Sequence, residues 1–206
     1  LSIGARFVSF LGGSAMYFLM PFYLIQGLQF SPSKAALIMV PASISMAVLG
    51  PFMGRLSDRI GARRPATFGM LLSAIAMLMF SGLSMATPAY QIVVAMIIAG
   101  VGMATFGSPN SSAIMGTQPR QKYGIVTAFI NLSRTSANVT GVALATTIVT
   151  FTMGSLGYEP SLSAVTEGGG ERVRTAFIEG MARAFMVSSG LMIGAMGLSV
   201  VCGEAK

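Results

Sequence analysis

The sequence predicts an all-α membrane protein built as a bundle of six transmembrane helices. Three observations carry that prediction. Of 206 residues, 53% are hydrophobic and only 9% charged, against roughly 25% charged in a soluble domain. The apolar residues gather into six runs of about twenty, the length that crosses a bilayer as a helix. The alternating segments of about ten residues that mark a membrane β-barrel are absent.

The first run, about 7–26, lacks a small-residue cleavage site, so it reads as a span and not as a signal peptide. Because the chain opens on Leu1 rather than Met, it is expected to be a piece of a longer protein. The second run, about 35–54, follows a break at Ser31-Pro32, and the third, about 66–86, ends at an uncharged turn from Thr87 to Tyr90 carrying Pro88. The fourth covers about 91–113, and the link Gly116 to Gly124 after it holds Pro119, Arg120 and Lys122. The fifth covers about 124–152. A long segment from Gly154 to about Met181 follows, glycine-rich at Gly168-Gly169-Gly170, and it holds four of the six acidic residues. Its second part, around Glu171 to Met181, is expected to be helical and to lead into the sixth run, about 182–202.

Charge gives the orientation. If the N-terminus is cytoplasmic, Arg6, Arg55, Arg59, Arg63, Arg64, Arg120, Lys122 and Lys206 face inward, whereas Lys34, Arg172, Arg174 and Arg183 face outward and Arg134 falls within a span. Cytoplasmic loops carry the excess of Lys and Arg, so both termini are expected in the cytoplasm. The same rule accounts for the net charge of +7. The basic residues are scattered over span ends without interleaved aromatics, which excludes nucleic acid as a partner. With no histidine and a lone Cys202, no metal site, disulfide framework or histidine-based catalysis is available, and neither a cofactor nor an enzymatic activity is expected.

Five of the nineteen charged residues fall between the second and third runs, in Gly54-Arg55-Leu56-Ser57-Asp58-Arg59-Ile60-Gly61-Ala62-Arg63-Arg64-Pro65. Gly54 and Gly61 would let the backbone turn sharply between antiparallel helices, and Asp58 could accept hydrogen bonds from a neighbouring helix N-terminus. The spacing Gly54-x-x-x-Asp58-Arg59-x-Gly61-x-Arg63-Arg64 resembles the signature loop of the major facilitator superfamily. A second stretch, Gly124 to Arg134 with Gly141-Val142-Ala143-Leu144-Ala145, resembles the penultimate helix of the fourteen-span drug:proton antiporters. Ala99-Gly100-Val101-Gly102 with Pro109, and Ala176-Phe177 through Ala184-Phe185, are similar to neighbouring parts of that family.

The resemblance implies that these six helices are the C-terminal half of a major facilitator fold in a bacterial inner membrane, with the N-terminal half absent. It implies alternating-access transport, most simply proton-coupled efflux of amphipathic small molecules or drugs. The signature loop, through Gly54, Asp58, Arg59, Gly61, Arg63 and Arg64, would act as a latch against the other half. A non-transporting membrane scaffold and a nutrient importer stay open as alternatives.

The fifth run is the least lipid-like. At 100° per residue, Thr127, Asn131, Arg134, Asn138, Gly141 and Ala145 fall within roughly 80° of one another. Such a stripe is too costly to turn toward lipid, so Asn131, Arg134 and Asn138 are candidates for lining a substrate path or holding a counter-carboxylate. The alternative is that Arg134 snorkels to the surface and the amides clasp a neighbouring helix. Ala137, Gly141 and Ala145, and in the sixth run Gly190 and Gly194, are expected to form close-packed seams. The fourth run breaks at Gly107-Ser108-Pro109-Asn110, which predicts a kink and makes Asn110 a further pathway candidate. The seventeen methionines would suit a surface that repacks around varied ligands, although helix interfaces and lipid are the simpler place for them. No acidic residue lies in mid-span, so a proton-coupling carboxylate would have to come from elsewhere in the carrier.

Overall fold

The computed structural model describes residues 2–116, 119–162, 165 and 170–201; of Arg6, Asn110 and Arg120 only the backbone is described. Gly168, Gly169, Cys202 and Lys206 lie outside the described residues. Six helices are long and apolar enough to cross a membrane, and no strand occurs among the described residues.

The first helix, α1 (Ser2–Phe22), contains Pro21 and widens into a π-turn at Tyr23–Gly27. Proline removes the hydrogen bond from position 21 back to the Tyr17 carbonyl, and just beyond it the wider turn closes through the Leu28 amide donating to the Tyr23 carbonyl at 2.8 Å. The second helix, α2 (Pro32–Ile60), starts with Pro32 behind Ser31, whose hydroxyl accepts from the Lys34 amide at 3.4 Å. It ends at Gly61, where φ is +85°, a conformation that excludes ordinary side chains. The other helices are α3 (Arg63–Ser81), α4 (Ala89–Gly116), α5 (Tyr123–Ser155, behind a 3₁₀ turn at Arg120–Lys122) and α6 (Glu171–Val201).

Two expected boundaries are corrected. Gly54, expected in the loop, lies inside α2, which leaves Gly61 and Ala62 as the whole link to α3. Apolar side chains continue through Leu56 and Ile60, so the helix runs on past the first arginine. At its other end α3 stops at Ser81, and Gly82–Pro88 forms a longer turn than expected. The helix expected to start around Glu171 does so and runs unbroken into the last span.

Most of the packing pattern repeats when the first three helices are exchanged for the last three, the exception being α5, which packs on α6 although its counterpart α2 hardly packs on α3. Helix α2 packs on α4 as α5 packs on α1, α3 packs on α4 as α6 packs on α1, and α3 pairs with α6. That is the pattern of an inverted repeat, although the two triplets share no evident sequence self-similarity. Helices α2 and α5 occupy the flanks, and α2 barely touches α3.

Glycines set the crossings. A Cβ on Gly69 of α3 would strike the Phe106 backbone amide of α4, and one on Gly102 would lie 2.7 Å from the Ser73 nitrogen. Gly100 likewise abuts the Ala42 carbonyl of α2, Gly141 abuts Leu11 and Ser14 of α1, and a Cβ on Gly180 would lie 2.9 Å from the Val149 Cα. In lipid, where apolar tails offer helices no hydrophobic drive to associate, such backbone approach supplies the dispersion energy that holds them together. Ala137, Gly141 and Ala145 are buried as expected. The seam expected at Gly190 and Gly194 is corrected, because both are exposed and a Cβ added at either would meet nothing within 4 Å. Methionines fill the interior: Met16, Met20, Met70, Met77, Met96, Met153, Met181 and Met192 are each at most 2% exposed. They serve as flexible gap-fillers between helices.

Candidate functional site

The turn between α2 and α3 gathers the signature residues at one end of the bundle. Arg55, Asp58 and Arg59 occupy the last turns of α2, and Arg63 and Arg64 open α3; all five side chains are exposed. The Gly61 amide closes α2 by donating to the Ser57 carbonyl at 2.9 Å. Ala62 precedes α3 without any side-chain cap, so Asp58 does not bond this helix N-terminus. Asp58 makes no hydrogen bond or ion pair with the described residues. Its carboxylate is exposed at this end of the bundle.

Gly54 has a different task from the turn expected of it. A Cβ there would sit 2.8 Å from the Ser108 hydroxyl oxygen of α4, so the glycine permits close approach of α2 and α4. Ser108 is therefore a neighbour of the signature that its spacing did not predict. It lies next to Pro109, which α4 accommodates within an unbroken helix rather than a break. Asn110 falls in that same helix, one position further on, and its side chain lies outside the described residues.

On α5 the expected stripe divides. Gly141 and Ala145 are buried against α1, whereas Thr127, Asn131, Arg134 and Asn138 are exposed. Two helices that cross at an angle diverge on either side of the contact, so one face is packed in its middle and open toward its start. None of Asn131, Arg134 and Asn138 makes a hydrogen bond or ion pair with a described residue.

The glycine crossings also give depth. Ala42, Ser73, Gly102 and Gly141 each lie close to the middle of their helices, so together they mark the mid-depth of the bundle. At 1.5 Å per residue, Asn138 is about 5 Å from that level, Arg134 about 10 Å and Asn131 about 15 Å. All three lie toward the end that carries the Gly61 turn, because α5 starts at the end where α3 starts. With that level at the bilayer centre, a hydrocarbon half-layer of about 15 Å would include Asn138 and Arg134.

Compared with known proteins, residues 3–168 match the Major Facilitator Superfamily. The chain belongs to this superfamily. Its members are membrane transporters, not enzymes. The chain is 33% identical to the riboflavin transporter RibZ of Clostridioides difficile over 63% of its own length and 28% of that protein's. It is 26% identical to the lincomycin resistance protein LmrB of Listeria innocua over 93% of its length and 39% of the relative's. With the methyl viologen resistance protein SmvA of Salmonella typhimurium it shares 36% identity over 53% of its length and 23% of the relative's. The chain thus spans well under half the length of these curated relatives.

Proposed function

We propose that the chain is the C-terminal six-helix half of a bacterial inner-membrane carrier that exports amphipathic small molecules against an inward flow of protons. A second bundle faces it, both termini are cytoplasmic, and the two halves rock around a midplane cavity. The observation that carries this reading is the exposed, unbonded carboxylate of Asp58 beside the tight Gly61 turn. A charge so placed at a bundle end is suited to a helix N-terminus of an opposing half, and Arg59, Arg63 and Arg64 to carboxylates or lipid phosphates beside it. Resistance to lincomycin and to methyl viologen, named in two of the relatives, supports export of such compounds. Asn131, Arg134, Asn138 and Asn110 would line the path. Of the described acidic residues, Asp58, Glu159 and Glu171 lie near helix ends or in loops, and Glu179, two turns into α6, is paired with Arg183, so the proton-carrying carboxylate belongs to the remainder of the carrier.

The test uses the full-length protein in inverted membrane vesicles. An imposed pH gradient should drive movement of an amphipathic dye, and Asp58→Asn should slow it without reducing the amount of protein in the membrane. An unchanged rate at matched expression removes the latch role, and indifference to the gradient removes proton coupling. A second reading, vitamin transport, draws on the riboflavin transporter among the relatives. It predicts that labelled riboflavin crosses the same vesicles faster than the dye.

A further inference from the structure

We propose that Asn131, Arg134 and Asn138 form a carboxylate-binding site at membrane depth, which deepens the reading of α5 as pathway wall and rests on it. All three side chains are exposed, and none has a partner among the described residues. Arg134 alone could be explained by snorkelling, since about 5 Å separates it from the edge of the hydrocarbon layer. Asn138 cannot, because its side chain is far too short to cross the roughly 10 Å that separates it from the same edge. An exposed amide held at that depth must meet water or a polar group, since lipid offers it no hydrogen bond. Arg134 stands one turn away on the same face and shares that environment.

The donors define the ligand. A guanidinium presents a planar fork of N–H groups that fits a carboxylate through two parallel hydrogen bonds, and amide NH₂ groups on either side add donors along the helix. The site offers a single cation, with no acidic residue on this stretch of α5. A singly charged carboxylate neutralises it, whereas a phosphate monoester would bring excess negative charge into the membrane. The carboxylate has two possible sources, an anionic solute or an acidic side chain of the facing bundle.

The experiment places a cysteine beside the site, Thr135→Cys, in an otherwise cysteine-free full-length protein that carries Cys202→Ser. Thr135 is exposed on the adjoining face and is not one of the three donors. The rate of alkylation by a water-soluble maleimide is measured in vesicles, alone and with 4-phenylbutyrate or its uncharged amide. If the solute supplies the carboxylate, phenylbutyrate slows labelling and the amide does not. Arg134→Gln should then raise the half-protecting concentration about tenfold, the factor for losing one charge-assisted hydrogen bond. If the facing bundle supplies it, neither solute protects, Arg134→Gln changes the labelling rate, and neutralising one membrane-embedded Asp or Glu of the other half restores it. Equal protection by both solutes, or labelling indifferent to Arg134→Gln, overturns the carboxylate site while leaving the pathway in place. A cysteine that reacts in denatured protein but never in vesicles overturns the pathway as well.

Discussion

Replacing Gly69 by alanine adds a single methyl group where α3 and α4 come closest. An ideal Cβ would fall on the Phe106 backbone nitrogen and lie 2.8 Å from the Gly102 carbonyl oxygen. These are main-chain atoms, so no side chain can rotate away and the helices must separate. Overpacking of this kind costs about 1–3 kcal/mol, and the better helix propensity of alanine returns about 0.8–1 kcal/mol of it. The net expectation is a loss of up to about 2 kcal/mol, or up to roughly 8 °C in melting temperature for a chain of this size. Gly190→Ala is the internal control, since nothing lies within 4 Å of the added carbon. It should leave stability unchanged or raise it by up to about 0.8 kcal/mol. The assay is the melting of purified protein in a mild detergent, followed by loss of the monodisperse peak on size exclusion. If Gly69→Ala melts at or above the temperature of Gly190→Ala, the glycine-set crossing of α3 and α4 is wrong.

Three further perturbations have defined outcomes in the same assay. Tyr23→Phe removes the hydroxyl that donates to the Ser84 carbonyl at 2.8 Å, tying the π-turn to the α3–α4 loop, and should cost about 1 kcal/mol. Ser189→Ala deletes a buried bond from α6 to the Ala74 carbonyl of α3 at 3.1 Å, and should lower stability by about 0.5–1.5 kcal/mol. Arg183→Ala breaks a 2.7 Å pair with Glu179 whose side chains are 51% and 47% exposed, and no shift beyond about 0.5 kcal/mol is expected.

The six spans were legible because length and hydropathy alone decide what crosses a bilayer, and Gly61 was legible because a turn between antiparallel helices needs a positive φ. Gly54 misled for a physical reason. A glycine beside a charge cluster looks like part of a turn, whereas here it serves a neighbour, Ser108, that is distant in sequence. Periodicity placed the α5 residues at one azimuth correctly, yet it carries no information on crossing angle, so it could not foresee that Gly141 would be buried and Asn138 left open. The small residues of α6 make the same point. Spacing singled out Gly190 and Gly194, whereas the crossing with α5 is made at Gly180, where Val149 happens to pass.

The long α2 lies along α4, approaching it closely at Ala42 and again at Gly54, and it barely touches any other helix. Asp58 stands sixteen residues beyond Ala42, an arm of about 24 Å at 1.5 Å per residue. Tilting the rod by about 5° at Ala42 would swing that carboxylate through about 2 Å, and it would have to slide Gly54 by about 1.6 Å past Ser108 on the way. Because Gly61 and Ala62 leave no slack, the start of α3 must be dragged along, so leverage applied at either helix is felt by both.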